Sequence, residues 1–175
     1  MRKLKPLVAL LALALTVVLG AAACSTTVSR APAPPLTYGH LPPLDLLVGR
    51  VELVEAYRSP PKEPNVEQSF PTPPALAFKR WVGDRLRSVG QSGTLRVTIR
   101  DASALRVALP RTAGIEGLFT KDQAERIDAT VDVLLEIVGD SGGTEASVSA
   151  RAQRSRTLPE GLSLNERDKY YQEIA

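Results

Sequence analysis

A chain of 175 residues has room for one ordinary domain with extensions. Lys and Arg number 22 against 19 Asp and Glu, yet Arg2, Lys3 and Lys5 carry the whole excess, so from Cys24 onward 19 basic residues meet 19 acidic ones. That balance removes the usual argument for a nucleic-acid partner, and one cysteine with one histidine is too little to seed a zinc site or thiol catalysis.

At the amino end, Arg2, Lys3 and Lys5 form a positive region, Leu7 to Leu19 is almost wholly apolar, and Gly20 to Ala23 is small. This is the layout of a secretory signal peptide over residues 1–23, with an apolar run short for a membrane span. Ala21 and Ala23 suit ordinary signal peptidase, which would leave a soluble protein that begins with a lone thiol. Ala21-Ala22-Ala23-Cys24 also resembles the lipobox of bacterial lipoprotein precursors, departing at Ala21, where that family most often has leucine. The resemblance implies lipidation of Cys24, cleavage before it and stable membrane anchoring. Ser25 in place of aspartate implies the outer membrane, with the protein facing the periplasm. Residues 24–47 then read as the lipidated terminus and a proline-rich tether, because Ala31 to Pro35 and Pro42-Pro43 favour extended geometry. An ordered strap against the domain is the alternative. His40 falls in this stretch and receives no role.

The single domain is expected over residues 48–175. Val51, Leu53 and Tyr57 recur at period two and predict a strand. A proline-rich loop follows from Ser59 to Pro74. Thr72-Pro73-Pro74 opens a helix whose apolar face is Phe78, Trp81, Val82, Leu86 and Val89, closed by Gly90. Leu95, Val97 and Ile99 predict a strand that extends through Leu105 to Leu109 after a kink at Asp101 to Ser103. Ile127 to Ile137 alternates as a long strand, Gly139 to Gly143 is its turn, and Ala146 to Gln153 returns. Pairing Ile137 with Ala146 sets Asp132 opposite Arg151 as an ion pair. The small inward residues Ala146, Ala150 and Ala152 call for something bulky above them, with the Trp81 helix as candidate. Ser163-Leu164-Asn165-Glu166 is a capping box that opens a second helix. The expected fold is α+β: a four-stranded, mainly antiparallel sheet with two helices on one face, in the order β-α-β-β-β-α.

No constellation demands catalysis, so the expectation is a non-enzymatic protein without metal or cofactor. Asp128 and Asp132 share a strand face, where a solvated, ion-paired surface outweighs acid–base work. Two stretches stand out as partner-binding candidates. Ile115, Leu118 and Phe119 punctuate a glycine-rich loop, either as an inserting finger or as a plug folded onto the sheet. Arg151, Arg154 and Arg156 offer guanidinium groups to lipid headgroups or a partner's acids. The element order over about Val48 to Ala175, behind an anchor and tether, resembles the small envelope accessory lipoproteins of lipopolysaccharide assembly and ABC-type lipid transport. That resemblance implies a membrane-tethered subunit with a protein partner in the envelope, and no family residue carries over individually.

Overall fold

A computed structural model describes residues 32–110 and 123–175, so Cys24 and the Ile115, Leu118 and Phe119 loop lie outside the described residues. Nine elements follow in chain order, besides a 3-10 turn at Glu67–Ser69: β1 (Leu44–Leu46), β2 (Arg50–Glu55), α1 (Pro74–Arg85), β3 (Leu86–Ser88), β4 (Thr94–Asp101), β5 (Ala104–Ala108), β6 (Gln123–Val138), β7 (Thr144–Pro159) and α2 (Leu164–Ile174). The class is α+β as expected, but the main sheet has five strands, and β1 and β3 make a second sheet of two.

The strand order follows from the alternation in β6. Its carboxyl half pairs antiparallel with β4, its amino half with β5 on the same edge, and β7 takes the other edge. The kink expected at Asp101 to Ser103 splits one strand into two: β4 ends at Asp101 and β5 begins at Ala104, the Ser103 amide donates to Asp101 Oδ1 at 2.9 Å, and the register against β6 already slips at Arg100. β2 joins β4 in parallel, not antiparallel. The reason is the helix between them, since a crossover returns the chain to the end where it started.

α1 starts as the prolines dictate, with Pro73 as N-cap and Pro74 in the first turn, although Thr72 makes no cap bond. It stops at Arg85, short of Gly90. Leu86 turns extended, and Leu86–Ser88 pairs in parallel with Leu44–Leu46, fixed by Arg87 gripping Asp45 through two bonds of 2.6 and 2.8 Å. The ion pair holds the exposed Asp45 carboxyl below its ordinary value. Gly90 serves this crossing instead of a helix end, because a Cβ there would sit 2.5 Å from the Leu47 carbonyl carbon.

Three apolar groups run along one face of the sheet. Phe78, Trp81 and Val82 of α1 pack on Leu95 and Val97 of β4. Ile99 and Val133 continue the layer. Ile127, Ala129 and Leu158 meet Tyr171 and Ile174 of α2, with Val66 and Phe70 from the long loop completing that end. Ile127, Ala129, Val131 and Val133 alternate along β6, so the residues under both helices share one face. The proline-rich loop is therefore core material: its Phe70 ring stacks on Tyr171 at 4.3 Å, and its Val66 amide donates to Ala104 O at 2.9 Å.

Residues 32–43, read above as spacer, lie along both helices. Gln172 donates to Pro34 O at 2.8 Å, Arg80 to Leu36 O at 3.3 Å and Arg85 to Pro42 O at 2.8 Å, while Asp84 accepts from the Tyr38 amide at 2.7 Å. Extended proline-rich backbone lacks internal bonds, which leaves its carbonyls open to such donors.

Candidate functional site

The hairpin register is as expected, with Ile137 opposite Ala146 and Asp132 opposite Arg151. The environment is not. Thr144 through Thr157 of β7 are all exposed, on both faces, and only Leu158 is buried at the strand's end. Nothing bulky covers Ala146, Ala150 and Ala152, because α1 lies over β4 and β6. An apolar groove remains where the helix stops short of β7.

This groove of about 290 Å³ has a floor of paired side chains, Val131 beside Ala152 and Val133 beside Ala150. Pro74, Ala77, Phe78 and Trp81 of α1 form its wall, and Tyr38 of the strap and Ala175 close the end. Phe78 and Trp81 stack at 5.5 Å, which holds the wall flat. Burial, reinforced by Asp84 against the opposing pull of Arg80, keeps the Tyr38 hydroxyl above its ordinary value and hence neutral. By alternation the floor extends toward the hairpin through Leu135, Ile137, Ala146 and Val148, the last 60 % exposed.

Register separates the three arginines singled out from the sequence. Arg151 faces the helix-free side with Asp132, whereas Arg154 and Arg156 fall opposite Ala129 and Ile127 on the helix side. They do not form one cluster. Arg156 is engaged, with Nη2 at 2.9 Å from Glu173 Oε2 and its guanidinium 5.5 Å from the Tyr170 ring centre. The ion pair expected between Asp132 and Arg151 does not form. The slip at Arg100 brings that guanidinium to Asp132 at 2.7 Å instead.

The opposite face is a lattice of charges. Asp128 accepts two bonds of 2.8 Å from Arg126, which hold its carboxyl below the ordinary value, and Arg96 lies 3.5 Å from Glu52. His40 sits exposed in a turn of the strap. Among the described residues no group of three or more His, Cys, Asp or Glu is placed to hold a metal ion, and no helix is long and apolar enough to cross a membrane.

Sequence reasoning missed the groove, and a signal for it was present. The residues alternating with Ala146, Ala150 and Ala152 are Ser147, Ser149, Arg151 and Gln153, so this part of β7 is small or polar on both sides apart from Val148, the composition of a strand with no layer above or below. No protein-family model matches the chain, and a search of curated proteins finds no significant match.

Proposed function

We propose that the protein is an exported, lipid-anchored subunit that acts without chemistry of its own, facing the periplasm from the outer membrane and binding a protein partner of the cell envelope. The observation that carries this reading is the uncovered apolar floor beside α1. Monomeric domains seldom leave such a surface open, and apolar strips rimmed by polar residues mark interaction sites. The lipobox-like sequence at Cys24 supplies the anchor in this reading, and acylation of the sulfur accounts for a single cysteine that would otherwise be a lone thiol in an oxidising compartment. The occupant is taken to be a protein segment presenting aliphatic side chains, since the groove's lining offers few polar groups to orient a small polar substrate.

The test is purification of the full chain from detergent-solubilised membranes. A stoichiometric envelope protein is expected to accompany it and to be lost on Ala152→Arg, which places a charge on the groove floor while leaving the melting temperature unchanged. No partner, or one retained by the variant, sinks the reading. Mass spectrometry of the mature amino-terminal peptide tests the anchor separately, and a free thiol there would remove it.

A further inference from the structure

The floor of the groove runs into a cation. From Ala146 to Leu158 the register against β6 is unbroken, so Ala150, Ala152, Arg154 and Arg156 follow one another on the helix side. They stand opposite Val133, Val131, Ala129 and Ile127 of β6. The first two steps are the apolar floor. The third sets the exposed Arg154 beside Ala129, about 7 Å further along and toward α2, whose Tyr171 and Ile174 share a core group with Ala129. The other arginines of the sheet that lie near acids are matched: Arg156 holds Glu173, Arg126 holds Asp128, Arg100 holds Asp132 and Arg96 lies against Glu52. Arg154 makes no ion pair with any of the described residues.

We infer that the partner segment filling the groove carries a carboxylate that binds Arg154. The inference rests on the groove being a protein-binding site and names the chemistry of what binds there. A segment laid over the floor takes water away from Arg154, which costs the complex unless an opposite charge replaces it. A carboxylate does so through a charge-assisted, two-pronged bond that guanidinium geometry favours. One free guanidinium suits one acid. A phosphate-bearing surface would call for a cluster, and here Arg156 is engaged by Glu173 while Arg151 leaves from the other face. The spacing sets the pattern: an aliphatic side chain rests on Ala152 against the α1 wall, and the acid follows one floor step, about 7 Å, toward α2. A charge at one end only also fixes which way the segment runs. Zero net charge from Cys24 onward leaves this selection to the single position and not to long-range attraction.

The test takes the protein recovered with the full chain from detergent-solubilised membranes, labels it, and titrates it with the chain by fluorescence anisotropy. Arg154→Glu should weaken binding about tenfold, since repulsion replaces attraction, and Arg154→Lys should stay within about threefold of the parent. Arg151→Glu makes the same change of charge on the other face and should stay within about twofold. Both positions are exposed, and unchanged melting curves would establish that the variants fold. In a second measurement a zero-length carbodiimide should join the new amine of Arg154→Lys to an aspartate or glutamate of the partner. Peptide mapping should place that acid near an aliphatic residue, and Arg151→Lys should give no link from its own position. A partner held equally by the parent and by Arg154→Glu overturns this inference and leaves the envelope reading standing. So does equal weakening by the two charge reversals, or a position 154 that links to no carboxylate. Recovery of no partner at all removes the envelope reading, and this inference with it.

Discussion

Glu67 is a buried carboxylate with four donors around it. Tyr57 Oη, Ser59 Oγ and the Ala104 amide each stand at 2.8 Å, and Asn65 Nδ2 at 2.9 Å. Burial alone would raise its pKa, but the bonds from Asn65, Ala104 and Tyr57 outweigh burial and hold it below the ordinary glutamate value. The Tyr57 hydroxyl is pushed the other way, by burial and then by the same carboxylate. A carboxyl depressed in the folded state stabilises above its unfolded pKa, and that contribution is lost as pH falls through the folded value. Glu67→Gln should therefore cost about 1–3 kcal/mol in urea melts at pH 7 and leave a shallower loss between pH 5 and pH 3 than the parent shows. Two glycines make a matched pair of tests at the same scale. A Cβ on Gly83, inside α1, meets nothing within 4 Å, so Gly83→Ala should stabilise by about 0.5–1 kcal/mol. Gly90→Ala drives a methyl into the Leu47–Val48 backbone and should destabilise by about 1–3 kcal/mol by the same measurement.

Elements were legible where a local rule had no competitor. The capping box at Ser163 forms in full: the Glu166 amide donates to Ser163 Oγ at 3.3 Å, and the Ser163 amide to Glu166 Oε2 at 2.9 Å. Ser163→Ala should cost about 1 kcal/mol and lower the thermal midpoint by a few degrees in a circular-dichroism melt. The β6–β7 register was equally legible, because period-two apolar residues on each side of Gly139–Gly143 leave one pairing that keeps Val131 and Val133 on the same face as Ala150 and Ala152. What sequence could not supply were pairings between distant short segments. Leu86 continues the helical apolar face of α1, yet its neighbours Arg87 and Ser88 find Asp45 and Leu46 across more than forty residues, and the tertiary partner ends the helix. The arginine group dissolved for a simpler reason: residues 151 and 154 differ in parity, so a strand must send them to opposite faces.

At the scale of the molecule, the α1–β7 groove exists because a sheet four strands wide along β2, β4, β6 and β7 is covered by helices lying over its middle and one end. The sequence showed a strand with small residues but not what lay above it, since absence of cover is a property of the assembled layers. The strap is likewise a whole-molecule feature. Asp84→Ala removes the acceptor of the Tyr38 amide and of Thr37 Oγ1, so exchange of the Tyr38 amide with deuterium should quicken about tenfold while amides in β6 keep their rates. Tension applied to the chain ahead of Pro32 would meet Gln172, Arg80, Asp84 and Arg85 before it reached any strand. A tug on the leading end would be shared between two helices and peel away contact by contact, sparing the sheet until the last of these grips let go.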